Sequence, residues 1–191
     1  VRLEDLVERH EHPVWGASLQ VRSLKKAIGE TEARRFVDVA MGRTAIGEAE
    51  SWRLIAAKID TLTDRKAVLQ MGVLPEQLSQ TVRQIWTESV TSQVVLTGER
   101  RAHYLERHAE MRGLERELLA TIFEPDEIHR NKRDSQIGIW YRRLNSSQYT
   151  RVVIWVSDKP GLQNSIHSFR LADEREVTMG RKQERLLWAK K

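Results

Sequence analysis

An α+β chain, with an N-terminal helical region followed by a helix-plus-antiparallel-sheet domain, is the fold class that three features of the sequence predict. Apolar residues recur at helical spacing through residues 1–91, and from residue 92 onward β-branched runs with period-two alternation take over. The charge changes at the same place. Residues 1–92 hold 13 Lys and Arg against 13 Asp and Glu, whereas residues 93–191 hold 19 against 14, so the whole +5 sits in the second half. A division into a helical region 1–91 and an α+β domain 92–191 follows.

The first half is read as helices in order. "RLEDLVERH" and "TEARRFVDVAMG" are amphipathic, and "GEAESWRLIAAKIDTL" places Ala49, Trp52, Ala56 and Ile59 on one stripe. "TDRKAVLQMG" is expected to be another helix, with Thr63 or Asp64 as N-cap and Gly72 as stop. "LPEQLSQTVRQIW" has Pro75 in a first-turn position and Leu78, Val82, Ile85 and Trp86 on one face. These stripes read as core, and no residue before 92 carries an evident chemistry.

In the second half "SQVVLT" (92–97) is a short strand, and Thr97-Gly98 leads into the helix of "ERRAHYLERHAEM". "LERELLATIF" (114–123) is a second helix that Pro125 ends, since the residue before a proline avoids the helical region. Three β-rich runs follow, at 135–144, 148–157 and 163–172, and turn-rich connections make an antiparallel meander their simplest arrangement. The tail "MGRKQERLLWAKK" fits either a last helix or an edge strand, and Arg181, Lys182 and Arg185 make it basic in both cases. The repeated look of "LVERHEH" and "YLERHAE" is too short to define an internal repeat.

Composition limits the chemistry. At 191 residues, 40% hydrophobic and 31% charged, the chain is globular rather than disordered. It has no eighteen-residue apolar run and no basic-then-apolar leader, so no membrane association is expected. Val1 stands where an initiator methionine would, which fits removal of an upstream segment. With no cysteine there are no disulfides, thiolates or Cys-based zinc sites, and a reducing compartment is permitted. Among six histidines, His10 and His12 are two apart and no HExxH occurs, so no metal is expected.

Within "ERRAHYLERHAEM", His103, Arg107 and Glu110 fall at i, i+4, i+7 on one face. His108 lies roughly 140° around from His103, nearer the buried side with Tyr104 and Leu105. A regular helix therefore cannot aim both histidines at one substrate unless it ends or distorts at Ala109–Gly113. The plain alternative is a half-buried histidine beside a surface one. On the strands, alternation groups Ile137, Ile139, Tyr141 and Arg143 against Gly138, Trp140, Arg142 and Leu144. Tyr149, Arg151, Val153 and Trp155 oppose an all-apolar or hydroxyl set, Thr150, Val152, Ile154 and Val156, which should be core. Ile166 is expected to share a face with Ser168 and Arg170, and His167 with Ser165 and Phe169. Arginine to clamp a phosphate, histidine to move a proton near neutrality and aromatics to stack a base suit RNA phosphodiester chemistry. The same residues also suit the wet face of an ordinary sheet.

"VVLTGERRAHYLERHAEM", then "EPDEI", then three strands ending in a Ser/His/Arg-bearing one, resembles the phage-associated nuclease domains of the barnase–EndoU–colicin–RelE (BECR) superfamily over about residues 93–191. The likeness rests on His103, Leu105, Arg107, His108 and Glu110 of the helix, on Pro125, Asp126 and Ile128, and on element order. It implies a helix-then-antiparallel-sheet fold and metal-independent RNA cleavage by 2′-OH attack, with no cofactor. It implies helix-borne catalytic residues at His103, Arg107 and His108 and sheet-borne ones at Arg143, Ser168 and Arg170. In that reading His103 and Arg107 are the acid/base and phosphate contact, Arg143 and Arg170 stabilise the phosphate, and His108 or His167 moves the second proton. Arg142, Arg151, His167 and Lys182 would hold nucleic acid. The serine stands where relatives carry a threonine. The implied partners are RNA, tRNA included, and an immunity or phage protein, in a cytoplasmic or phage-associated setting. A non-catalytic nucleic-acid-binding module and a phage structural or assembly protein are the competing readings.

Overall fold

A computed structural model describes residues 48–87, 90–159 and 162–190. The segments "RLEDLVERH" and "TEARRFVDVAMG", with His10 and His12, lie outside the described residues. Helix α1 (Glu48–Asp60) turns Trp52, Ile55, Ala56 and Ile59 into the core, as its stripe predicts. Strand β1 (Val68–Val73) is a correction: its residues were expected to be helical. The Asp64 carboxylate accepts the Lys66 N–H at 2.9 Å, closing a local turn rather than capping a helix. Gly72 has φ of +141°, which no helix accommodates, and a Cβ there would lie 2.9 Å from the Phe123 ring. β1 pairs antiparallel with β2 (Gln93–Thr97), so the sheet extends across the division expected at residues 91 and 92. Trp52–Lys191 forms one compact unit.

Helix α2 (Glu76–Ile85) starts after Pro75 and buries Leu78 and Val82. Trp86, which ends it, stacks on Trp140 with centroids 6.0 Å apart and donates its indole N–H to the Ser135 carbonyl at 2.8 Å. Helix α3 (Gly98–Arg107) follows β2 without a loop. The Thr97 hydroxyl accepts the Arg100 N–H as N-cap. Gly98 is needed for a different reason: a Cβ there would sit 1.9 Å from the Asp64 carbonyl oxygen. A 3-10 turn (Ala109–Met111) leads to helix α4 (Glu115–Phe123), which stops before Pro125 as expected.

Strands β3 (Glu127–Arg130), β4 (Ile137–Arg143), β5 (Gln148–Trp155) and β6 (Asn164–Asp173) form the predicted meander, with β3 added to it. The tail divides into helix α5 (Glu174–Lys182) and strand β7 (Leu186–Ala189), which pairs with β3. The sheet order is β1-β2-β6-β5-β4-β3-β7, antiparallel except where β2 runs parallel to β6. Among the described residues the chain is therefore α+β, with five helices and a seven-stranded, mostly antiparallel sheet.

The two sheet faces differ. On the core face, Trp140, Val152, Ile154, Ile166 and Phe169 join the buried residues of α1–α4. The Tyr104 ring of α3 meets Phe169 edge-on at 5.8 Å, and the Thr121 hydroxyl of α4 shares a buried 2.6 Å hydrogen bond with Thr150. Among the described residues α5 covers the other face, where Val177 packs with Ile139, Tyr141, Tyr149 and Ala172. Strict alternation along β6 fails at one point. Val153 opposes Ser168 while Ile154 opposes Ile166, so His167 is the extra residue of a β-bulge. Ile166 consequently joins Phe169 in the core, and the grouping of Ile166 with Ser168 and Arg170 is corrected.

Candidate functional site

The α5 face carries a linked cluster of ion pairs. Register aligns Glu127, Tyr141, Arg151 and Arg170 in one row across β3–β6, with Arg143, Tyr149 and Ala172 in the next. Asp173 caps α5 by accepting the Glu176 N–H at 2.7 Å, which fixes Glu174 and Glu176 in the first turn over that row. Buried Val177 holds the helix down.

Two carboxylates from α5 meet the sheet arginines. Glu176 takes two hydrogen bonds from Arg170 at 2.7 and 2.8 Å and one from the Tyr141 hydroxyl at 2.9 Å. Arg151 Nε lies 3.0 Å from Glu176 but off the hydrogen-bonding direction, so that contact is an ion pair only. At the open corner, Arg143 donates to Glu174 at 2.9 Å and to the Tyr149 hydroxyl, which itself donates to Glu174 at 3.0 Å. The guanidinium lies 4.6 Å over the Tyr149 ring. Arg181 approaches Glu174 at 3.8 Å and hydrogen-bonds Glu127. The Asp126 carboxylate accepts the Arg143 backbone N–H at 2.6 Å, so the Pro125-Asp126 turn helps to place this arginine. The side chains of Arg143, Glu174 and Arg181 remain 46, 42 and 40% exposed.

Deeper in, His129 is 2% exposed and meets Glu127 at 2.8 Å. Burial holds its imidazole below the usual range, with Glu127 opposing only in part. The neutral ring then donates Nε2–H to the carboxylate. Burial works to raise the Glu127 carboxyl, but hydrogen bonds from Arg181 and His129 outweigh it and hold the group below the usual carboxylate range. The bond to Glu127 raises Arg181 in turn. Burial pushes Tyr141 up to about 12, and burial with the Glu174 hydrogen bond raises Tyr149, so both phenols keep their protons.

Arg143, Arg151, Ser168 and Arg170 thus share the α5 face, with Arg151 opposite the apolar side of its strand as alternation predicts. The helix-borne residues do not join them. α3 is pinned to the core face by Tyr104, buried Arg101 and the close approach at Gly98, so His103, Arg107 and His108 lie across the sheet from Arg143 and Arg170. The expected convergence of histidine and sheet arginines is corrected accordingly. His103 is half-buried and Arg107 exposed. α3 ends at Arg107, leaving His108 as its C-cap, 3.5 Å from Glu110. Arg142 points to the core-face rim, where it pairs with Glu117 at 3.4 Å and Glu124 at 3.5 Å of α4. His167 sits half-buried at the bulge, held below its usual range by burial and then by the Arg100 charge. Lys182 is exposed at the end of α5.

Sequence reasoning missed Glu127, Tyr149, Glu174, Glu176 and Arg181 as members of this cluster. The signal available was "LADEREVTMG", an Asp-capped amphipathic helix following a strand. Among the described residues no group of three or more His, Asp or Glu is placed to hold a metal ion, and no helix is long and apolar enough to cross a membrane. Comparison with family models, curated proteins and solved structures found no match to this chain.

Proposed function

We propose that the α5 face is the active surface of a metal-independent ribonuclease of the BECR type, working in a phage- or toxin-associated setting. One observation carries the reading: an accessible carboxylate, Glu174, stands between two accessible guanidinium groups, Arg143 and Arg181. Those groups supply a general base and charge stabilisation for transesterification of RNA without a metal. A phosphodiester entering at this corner exchanges the arginine–carboxylate contacts for arginine–phosphate ones. Glu174, released from Arg143, takes the 2′-OH proton as general base. The 2′-oxygen bonds to phosphorus while the P–O5′ bond breaks, leaving a 2′,3′-cyclic phosphate and a 5′-oxygen that takes a proton from water. Arg143 and Arg181 neutralise the charge that builds on the phosphoryl oxygens. Tyr149, buried beneath Arg143, is a positioning residue that orients both Arg143 and Glu174.

The test is incubation of the full chain with total RNA in EDTA. Glu174→Gln and Arg143→Ala should each lower cleavage about a hundredfold or more, while His103→Ala and Arg107→Ala leave it intact. With one carboxylate as base, the rate should lack the neutral-pH bell of a histidine pair. Cleavage that survives Glu174→Gln but disappears with His103→Ala would move the chemistry to α3. No cleavage of any RNA between about pH 5 and about pH 9 refutes the ribonuclease.

A further inference from the structure

At the far end of α5 a groove of about 360 Å³ opens between the β3–β4 turn and the α5–β7 turn, lined by Arg130, Asn131, Lys132, Gln183, Glu184 and Arg185. The Arg130 backbone N–H, donating to the Arg185 carbonyl at 2.7 Å, ties the two turns together. The cationic side chains here differ from those under α5. Arg143, Arg151, Arg170 and Arg181 all face carboxylates, whereas the side chains of Arg130, Lys132 and Arg185 have no hydrogen-bond or ion-pair partner among the described residues. The Asn131 side-chain oxygen is occupied by the Arg133 and Asp134 N–H groups, which leaves its amide nitrogen as a further donor. Glu184 is the single acidic residue of the lining.

The turn is built to present this groove. The Arg185 N–H reaches the Gly180 carbonyl at 3.0 Å and the Glu184 N–H reaches the Arg181 carbonyl at 3.0 Å, closing the end of α5 in a Schellman motif. Those bonds satisfy helix carbonyls that would otherwise repel an anion. Glu184 takes the left-handed position, φ +56°, that glycine usually fills. Two guanidinium forks, an ammonium and an amide in one concavity match the several oxygens of a phosphate better than a single carboxylate. About 13 Å of helix separates the groove from Glu174, at 1.5 Å per residue.

We infer that this groove is a phosphate subsite that anchors the backbone of a single-stranded RNA a few nucleotides from Glu174. The inference rests on the ribonuclease reading for its substrate, but its test does not depend on cleavage. A fluorescein-labelled oligodeoxyuridylate lacks the 2′-OH and is bound without being cut. By anisotropy on the full chain, Arg130→Ala/Arg185→Ala should weaken binding about tenfold and flatten the log–log salt dependence by about 0.7 for one lost phosphate contact. Glu184→Gln, which removes the groove's carboxylate, should tighten binding, a gain that a misfolded chain cannot produce. Arg116→Ala, on α4, removes a positive charge away from the groove and should change neither. Unchanged affinity in both groove variants overturns the subsite even if Glu174-dependent cleavage is found. Weakened binding without any cleavage upholds the subsite and refutes the ribonuclease alone. If inorganic phosphate stabilises the parent but not the double variant while oligonucleotide affinity is unchanged, the groove holds free phosphate and the subsite is overturned.

Discussion

Gly180→Ala, in the last turns of α5, sets helix propensity against packing, and the structure decides the sign. In an exposed helix the change would stabilise by about 1 kcal/mol. Here a Cβ at Gly180 would lie 2.4 Å from His129 Nδ1 and 2.8 Å from Cε1, where carbon contacts prefer about 3.5–4 Å. The ring has nowhere to go: it is hydrogen-bonded to Glu127 and meets Tyr141 edge-on at 4.9 Å. α5 must therefore rise, loosening fully buried Val177 and the Arg181–Glu127 pair. Overpacking of this kind costs about 1–3 kcal/mol, so after the propensity gain a net loss of up to about 2 kcal/mol is expected. Equilibrium urea unfolding measures it directly. In a double-mutant cycle, His129→Ala should remove the obstacle and return much of that loss as a coupling of about 1 kcal/mol or more. A Gly180→Ala chain more stable than the parent by about 1 kcal/mol would refute the close packing of α5 on His129.

Two further outcomes follow from the same end of the molecule. His129 and Glu127 both have folded-state values below their unfolded ones, so the unfolded chain takes up protons first as pH falls. Stability should be full above the ordinary histidine value of 6.5 and decline below it, with Glu127 adding to the loss below its ordinary 4.5. Urea midpoints across that range should show the decline, and His129→Gln should reduce its upper part, to which His167, also held below its usual range, contributes the rest. Glu184→Gly should raise stability by about 1 kcal/mol, because it relieves a non-glycine residue in the left-handed position, whereas Glu184→Val should lower it; thermal unfolding of both variants reads the difference.

Much of the fold was legible because it depends on local period. The stripe Trp52, Ala56, Ile59 and the alternation of β4 and β5 are set by neighbours within a turn or a pleat, and they packed as read. Two kinds of element escaped. β1 looks helical by its own residues, and only pairing with β2 and the backbone of Gly72 make it a strand. β3 and β7 have four residues each, too few to show a period, and each is defined by its partner.

The candidate site divides along the same line. The sequence alone assigned Arg143 and Arg151 each to a face of its own strand and put the excess positive charge in the second half, since both follow from alternation and counting; strand pairing made the two faces one. It could not show that a bulge at His167 turns Ser168 and Arg170 onto that same face while sending Ile166 to the core. Nor could it show that α3, with His103 and Arg107, packs on the opposite side of the sheet. The partners of the cluster lie far apart in the chain: Glu174 is 31 residues from Arg143, and Arg181 is 54 from Glu127. Periodicity assigns each side chain a face of its own element, but which element that face meets is decided only when strands choose neighbours and helices choose sides, and those choices minimise exposed apolar surface over the whole molecule.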